Sequence, residues 1–379
     1  MRLGRSNLDW MKEYGTAYKL RGCFGTTSLV ITDPRAIHRI LHESLQDYPE
    51  AGDVKRFFEM MFGRGVIWAH GEDHKRHRRV LSPAFSIAHM RKFVPLFQEY
   101  VAQLAEKWND ELRGSSHTID VIPWLHKITL GIIGESRQIP TFISSLKAKY
   151  LPSAIEKITK RYLELSNATA KEVMREAELT EGRDVLSVLV RANSAEDPRK
   201  RLTEAEILAQ MSTLIQAGHH TTGYTLSWIL YELAAHPDDQ VKVYEEISRV
   251  RKGRGELELT SEDYDSLNHL TLALKETLRL HPVFPNLLRE ASKNDVLPLD
   301  FPIVSEDGKT LKEIPITKGQ RIWVDVPSYN RLESVWGPNP DEWNPGRHER
   351  LDFEEKKQAQ VGLFANVLTF SGGPKGCIG

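Results

Sequence analysis

The chain has 379 residues, more than one hydrophobic core usually holds, yet no linker, low-complexity segment or internal repeat divides it. Lys and Arg number 51 and Asp and Glu 52, so the charge balance gives no reason to expect a nucleic-acid partner. The two cysteines, Cys23 and Cys377, are too few for a disulfide scaffold. We expect one large domain over residues 1–379, and a soluble one, because no apolar run reaches the roughly 18 residues of a membrane span.

The first predicted elements are two short strands within residues 15–33, where apolar residues alternate with small or polar ones. Thr203 and Glu206 form a capping-box signature that starts a long apolar helix, which His236-Pro237 stops. Because it is apolar on most faces, this helix should be buried. Helical spacing predicts further helices over Pro34–Leu45, from Glu72 onward, and over Ile87–Leu112, Pro123–Gly134, Ser153–Leu179 and Arg183–Ala192.

After a helix that ends at Leu280, the pattern changes to strands. Phe301–Val304 and Thr310–Ile314 flank Asp307-Gly308, a strong hairpin signal. Arg321–Val326 predicts a further strand. The order of strands, many helices and then strands predicts a mainly α fold with a smaller β region.

Cys377 lies in the glycine-dense run FSGGPKGCIG. A lone cysteine is most often a small buried apolar residue. Its neighbours favour a ligand role, because Phe370 can pack against the sulfur and Lys375 is placed to meet a carboxylate of a ligand. Four glycines permit left-handed conformations and a close approach of the backbone to a flat ligand. They are Gly372, Gly373, Gly376 and Gly379.

Two helical motifs add candidates. Glu276 and Arg279 share a helix face at i,i+3, a spacing that by itself most often marks a solvated ion pair. In the long helix, the Thr221 hydroxyl can bond the carbonyl of Ala217, and Gly218 weakens the same turn. We therefore expect this helix to open locally.

The stretch GEDHKRHRRVLSPAF carries a basic run, which is usually a solvated or phosphate-contacting face. His70, His74 and His77 follow helical spacing beside acidic residues, which leaves open a zinc or non-haem iron site. They could equally be interface histidines of a helical binding protein. The basic run comprises Lys75, Arg76, Arg78 and Arg79.

These motifs resemble those of the cytochrome P-450 family. FSGGPKGCIG resembles its haem-binding loop, Phe-x-x-Gly-x-basic-x-Cys-x-Gly, with Lys375 where Arg is usual. KETLRLHP resembles its Glu-x-x-Arg motif, and WNPGRH resembles the later segment that supplies Arg347, with Gly346 where the family often has Glu.

Two further segments extend the resemblance, which covers most of the chain. AGHHTT resembles the oxygen-activation segment Ala-Gly-x-acid-Thr-Thr, with His220 in place of the acid. We expect this change to slow turnover or to increase peroxide leakage. His74 and Arg78 occupy positions that resemble the family's Trp-x-x-x-Arg, whose role is to bond a haem propionate.

The resemblance implies a haem-thiolate monooxygenase that inserts one oxygen atom from dioxygen into a hydrophobic organic substrate. It implies haem b as the cofactor, NADPH–cytochrome reductase or also a cytochrome b-type donor as the electron source, and a monomer. Cys377 would be the axial thiolate of the iron. The residues that would bind the cofactor are His74, Arg78, Lys375, Phe370, Gly373 and Gly379. A structural triad would be formed by Glu276, Arg279 and Arg347. Thr221 and His220 would be catalytic, with Thr221 facing Cys377 across the haem.

The likeness is strongest to fungal microsomal members, which implies the cytosolic face of the endoplasmic reticulum membrane. Residues 51–69, expected to be a loop, the helix near Ala217, and Val283–Leu287 would line the substrate pocket. An acidic reductase would dock on basic side chains that include Arg76 and Arg79. The pocket's apolar residues, which could equally be plain core residues, would be Phe57, Phe58, Met61, Phe62 and Phe284.

Against the family pattern, we expect three segments to be absent: the N-terminal anchor, helices between Gly134 and Ile139, and the helix after the cysteine. We therefore expect a truncated P-450-like fold, incomplete at both ends. The alternative function is a non-catalytic haem-binding fragment or pseudoenzyme.

Overall fold

The computed structural model describes residues 5–22, 25–113, 118–133, 200–350 and 360–379, together with 189, 191–194 and 196–197. The predicted helix Ser153–Leu179 and most of Arg183–Ala192 lie outside the described residues. The chain divides into two compact units, one of Met1–Val54 and Trp228–Cys377, the other of Lys55–Ser227 and Ile378–Gly379. The described part is mainly helical with a small β region, which confirms the predicted fold class.

The helices account for most of the ordered backbone. In chain order they are α1 (Arg5–Tyr14), α2 (Pro34–His38), α3 (Gly52–Phe62), α4 (Gly71–Leu81), α5 (Ile87–Lys92), α6 (Val94–Arg113), α7 (Val121–Ile133), α8 (Glu204–Ala235), α9 (Pro237–Arg254), α10 (Ser261–Asp265), α11 (Asn268–Leu280), α12 (Val326–Tyr329), α13 (Glu333–Trp336) and α14 (Arg347–Arg350). A π-helical turn over Arg39–Glu43 extends α2, and 3-10 turns lie at Leu368–Phe370 and Gly373–Lys375. None of the helices among the described residues is long and apolar enough to cross a bilayer.

All described strands belong to the first unit. A four-stranded sheet has the order β1-β2-β6-β3, in which β2 and β6 are parallel and the other neighbours antiparallel. A separate antiparallel pair, β4 and β5, confirms the hairpin predicted at Asp307-Gly308. The strands are β1 (Ala17–Arg21), β2 (Thr27–Ile31), β3 (Asn286–Glu290), β4 (Asp295–Val304), β5 (Thr310–Ile316) and β6 (Arg321–Asp325).

The start of α8 confirms the predicted capping box. The Glu206 amide donates to Thr203 Oγ1 at 3.3 Å, and the Thr203 amide donates to Glu206 Oε2 at 2.8 Å. The predicted burial holds near Met211, Leu214 and Ile215, whose exposure is 8% or less. From Tyr224 onward it is wrong for one side of the helix: Ile229 is buried, but four large side chains are 39–60% exposed, namely Tyr224, Trp228, Leu230 and Tyr231.

Two other predictions of secondary structure are wrong. Ile87–Leu112 is two helices rather than one, because Pro95 lies in the first turn of α6, where proline is tolerated, and not in a helix interior. Residues 51–69 contain the helix α3 and are not a loop throughout. Within α3, Phe57 is 49% exposed, so this side chain is not a plain core residue.

Each unit has its own apolar core. In the first unit the core lies between the four-stranded sheet, α2 and the segment around α12 and α13, and it includes Ile37, Leu41 and Trp336. In the second unit the core joins α4 to the first half of α8 through Leu81 and Met211. The first core thus supports the segment that carries Cys377, and the second supports the helix that carries Thr221.

Candidate functional site

Cys377 ends a short irregular segment of the first unit, residues 368–377, here named the cysteine loop. The Cys377 amide donates to the carbonyl of Phe370 at 2.9 Å, which closes the loop. Cys377 is exposed and forms no disulfide. The Phe370 ring packs edge-on against Phe364, with ring centroids 6.1 Å apart. The sulfur is therefore presented to the outside of this unit on a loop held by its own backbone.

The glycines of this loop are required by contacts with the chain itself. Gly373 has φ +66°, and a Cβ there would overlap the carbonyl oxygen of Leu41. A Cβ on Gly372 would overlap the carbonyl oxygen of Val361. In the second unit, a Cβ on Gly379 would overlap the ring of Phe85. These glycines therefore let the backbone pack closely on other parts of the chain, while the expected close approach to a flat ligand stays a prediction.

Lys375, predicted to meet a ligand carboxylate, lies against a carboxylate of the protein. Its Nζ bonds both oxygens of Glu50, at 3.1 and 3.0 Å. Arg289 Nη1 lies 3.8 Å from the same carboxylate. Sequence reasoning missed both partners. One feature of the sequence could have pointed to Arg289: it is a charged residue directly after the apolar residues Leu287 and Leu288 in a short strand.

Arg289 is a buried cation that is only partly compensated. Its side chain is 7% exposed, and its Nε has no hydrogen-bond partner among the described residues. Burial lowers the pKa of Arg289, and the charge of Glu50 only partly opposes this shift. A buried guanidinium with an unsatisfied donor is suited to a further anionic partner.

Glu276 is the centre of a buried ion network. Arg279 donates to its two oxygens at 2.8 Å, Arg347 Nε lies 3.3 Å away, and the Asn344 amide donates at 3.0 Å. The ring of His348, missed from the sequence, contacts the same carboxylate at 3.0 Å. Burial alone would raise the pKa of Glu276, but Arg279 and His348 outweigh it and bring the pKa to about 2.

This network is bonded to the cysteine loop through Asn330. The Asn330 side-chain amide donates to the carbonyl of Arg279 and to Thr369 Oγ1, both at 3.0 Å, and its oxygen accepts the Leu368 amide at 2.9 Å. Thr369 Oγ1 also donates to the carbonyl of Leu278 at 2.6 Å. The ion network therefore fixes the start of the loop through uncharged hydrogen bonds.

The segment around Thr221 lies in the second unit within an unbroken α8, so the expected local opening of the helix is wrong. The Thr221 hydroxyl donates to the carbonyl of Ala217 at 2.6 Å, in the ordinary i to i−4 arrangement. Such a bond satisfies the carbonyl without breaking the backbone ladder, which explains the continuity.

His220 belongs to a cluster of aromatic side chains on α7 and α8. Its ring centroid lies 3.8 Å from that of His219 and 5.0 Å from that of His126. The His126 ring also meets Tyr224 edge-on at 4.6 Å. Burial, with smaller contributions from His219 and His126, lowers the pKa of His220 to about 4. His220 is therefore neutral near pH 7.

The basic helix α4 divides its charges between two roles. Arg76 forms a bidentate ion pair with Glu206, in which its Nη1 donates to Oε2 at 3.0 Å and its Nη2 donates to Oε1 at 2.5 Å. His77 contacts the same carboxylate at 3.2 Å. The Arg76 pair lowers the pKa of Glu206 to about 2. The contacts of Arg76 with Glu206 conflict with the docking role expected of Arg76. Arg79, in contrast, is exposed, which is compatible with such a role.

The other predicted residues of α4 are His74, which is 7% exposed, and Arg78, which is half-buried. Within the described residues, which include His70, His74 and His77, no group of three or more His, Cys, Asp or Glu side chains could hold a metal ion. The zinc hypothesis is therefore wrong. The predicted site residues thus divide between the two units, with His74, Arg78, Gly379, His220 and Thr221 in the second.

Comparison with known proteins gives the family. The family model described as Cytochrome P450 matches residues 6–137 and 134–379, and the two matches meet where the sequence is predicted to omit helices. "Cytochrome P450 monooxygenase 219" of Postia placenta is 30% identical over 432 aligned positions, which cover 98% of this chain and 78% of the relative. "Cytochrome P450 monooxygenase claU" of Ampulloclitocybe clavipes is 30% identical over 419 aligned positions, which cover 98% of this chain and 76% of the relative.

The first alignment has 432 positions against 379 residues in the chain, so the relative carries residues inside the matched region that this chain lacks. This agrees with the predicted internal omission. The family model covers nearly the whole sequence, and each relative is matched over more than two thirds of its own length. The chain belongs to the cytochrome P450 family.

Proposed function

We propose that this chain is a haem-thiolate monooxygenase in which Cys377 is the axial ligand of the iron. The observation that carries the proposal is the cysteine loop, which presents Cys377 at the surface of its unit and is tied to the buried network around Glu276. The names of the relatives, cytochrome P450 monooxygenases, support the same reaction.

The residues of the first unit fit a haem b cofactor, which carries two carboxylates and needs an axial ligand. Cys377 offers an exposed sulfur, and Arg289 offers a buried Nε that lacks a hydrogen-bond partner among the described residues. Lys375 is the second cation. His74 and Arg78 of the second unit are proposed as haem-binding residues from the resemblance alone. When bound, haem supplies the activation of dioxygen.

His220 and Thr221 are proposed to move protons. The Thr221 hydroxyl donates its hydrogen bond to the carbonyl of Ala217, so its oxygen is left as an acceptor. A neutral imidazole has one donor and one acceptor nitrogen, so His220 can take a proton at one and release it from the other. With a pKa of about 4, His220 is about as basic as an ordinary carboxylate, but it is uncharged near pH 7 whereas a carboxylate is negative. This loss of negative charge favours slower proton delivery.

The proposed substrate is a hydrophobic small molecule, and the proposed electron donor is NADPH–cytochrome reductase. The proposed place of action is the cytosolic face of the endoplasmic reticulum membrane, and the proposed state is a monomer. These proposals rest on family membership. Exposed Arg79 on α4 supports an acidic partner.

Turnover under labelled dioxygen tests the function. The haem-loaded protein is combined with NADPH–cytochrome reductase, NADPH and a panel of apolar substrates under ¹⁸O₂. We expect one labelled oxygen atom in each product molecule and none with Cys377→Ala. If haem remains bound but no substrate of the panel gives NADPH-dependent product, the chain is a non-catalytic haem-binding protein.

A further inference from the structure

Glu50 of the first unit lies between the two cations that the proposed function assigns to the haem carboxylates. It bonds Lys375 Nζ at 3.1 and 3.0 Å and lies 3.8 Å from Arg289 Nη1. The side chains of Glu50 and Lys375 are only 8% and 10% exposed, and that of Arg289 is 7% exposed. Ion pairs so little exposed are weakly screened by solvent and salt.

The backbone on both sides of this contact is fixed. The Glu290 amide at the end of β3 donates to the carbonyl of Pro49 at 2.9 Å, which places Glu50 beside Arg289. Across from it, Lys375 ends a 3-10 turn whose first residue, Gly373, packs directly on Leu41. The contact therefore joins the side chains of two segments whose backbones are each held by contacts of their own.

Glu50 and a haem propionate offer the same chemical group. Each is a carboxylate that accepts charge-assisted hydrogen bonds from ammonium or guanidinium groups. Lys375 has only three N–H donors, so a second carboxylate that arrives at this ammonium competes with Glu50 for them. Arg289 has an unsatisfied Nε among the described residues, so it has capacity for a further acceptor.

We propose that Glu50 is an internal competitor of the haem propionates. It neutralises Lys375 and Arg289 in the cofactor-free protein and leaves at least one of them when haem binds. This inference rests on the proposed function, because it requires that haem binds to this loop. Its consequence is that Glu50 stabilises the cofactor-free protein at the expense of affinity for haem.

The experiment compares haem affinity in the wild type and in Glu50→Gln, by titration of the cofactor-free protein followed at the Soret band. We expect Glu50→Gln to bind haem about tenfold more tightly, since one charge-assisted contact no longer has to be broken. With haem dimethyl ester, whose propionates carry no charge, the two proteins should bind equally. Glu50→Asp keeps the charge on a shorter side chain and should give an intermediate gain, even if Glu50→Gln folds poorly.

The matched control is Asp295→Asn, which removes another carboxylate of the first unit. Asp295 pairs with Arg39 at 2.9 Å and accepts from Tyr48 at 2.8 Å. Its loss should lower stability without tightening haem binding. Equal or weaker haem binding by both Glu50 variants, or a gain that persists with the dimethyl ester, overturns the inference while the proposed function stands. Failure of the wild type to bind haem overturns both.

Discussion

At the scale of single residues, His220 stands where the family motif that this segment resembles has an acid. The family has an acid at this position, which would be negatively charged near neutral pH. His220 is instead neutral, because burial and the neighbouring rings of His219 and His126 oppose its protonation. Tyr224 completes the surroundings of these rings. The substitution therefore changes the charge of the proposed proton path near neutral pH.

The depressed pKa of His220 predicts a pH dependence of stability. The pKa of His220 is about 4 in the folded protein, against 6.5 for an ordinary histidine, so the unfolded chain takes up its proton at a higher pH. The stability that neutral His220 contributes is present above pH 6.5 and is lost as the pH falls towards 4. We expect a loss of about 2 kcal/mol, allowing for partial exposure.

Urea unfolding at a series of pH values between 7 and 4 measures this loss. His220→Gln, which does not titrate, should unfold with a free energy that falls about 2 kcal/mol less over the interval. Thr222→Ala, an exposed neighbour on the same helix, should shift the curve without changing its slope. Parallel curves for His220→Gln and the wild type would contradict the pKa assignment.

The Glu276 network shows what sequence reveals at the residue scale. The i,i+3 spacing gave Glu276 and Arg279, and the resemblance gave Arg347. Neither the spacing nor the resemblance predicted His348 or Asn330, because helix spacing rules do not apply to side chains of loops and short turns. Their contacts with Glu276 and Thr369 depend on tertiary structure alone.

At the scale of elements, two of the three arginines of α4 have clearly different surroundings. Arg76 is committed to Glu206 at the first turn of α8, whereas Arg79 is exposed. One joins two helices of the second unit, and the other is available to an external partner. A basic run in a sequence does not distinguish these roles, since every member of it has the same charge.

Charge reversal separates the two roles. Arg76→Glu would place a carboxylate against Glu206, so we expect the free energy of unfolding to fall by about 2 kcal/mol or more. Arg79→Glu should change it by less than about 0.5 kcal/mol and should raise the KM for the reductase several-fold at low salt. Lys107→Glu, an exposed reversal on α6, is the control with the same change in charge. An unaltered KM in Arg79→Glu would remove this residue from the docking surface.

Local signals predicted the elements that local interactions determine. The capping box at Thr203 and the turn at Asp307-Gly308 are set by residues a few positions apart, and both are present. The break before Pro95 was missed because apolar spacing continues across it. The strand β3 was missed because its five residues, NLLRE, do not alternate.

At the scale of the whole molecule, the contacts that define the first unit connect distant parts of the sequence. Glu50 contacts Lys375 although the two residues are 325 positions apart, and the sequence around one does not indicate the other. The same holds for Leu41 and Gly373. Family membership predicted the class of fold and the candidate ligand, whereas the internal carboxylate became visible only when the chain was folded.

Ligation of haem iron by the Cys377 thiolate is the claim on which the proposed function and the Glu50 inference both depend. It is tested by the absorbance of the reduced carbon monoxide complex in the wild type, Cys377→Ser and the control Ser371→Ala. We predict a strongly red-shifted Soret band, as a thiolate ligand gives, in the wild type and in Ser371→Ala, and its loss in Cys377→Ser. An unshifted band in the wild type, or a shifted band that survives in Cys377→Ser, would contradict ligation by Cys377.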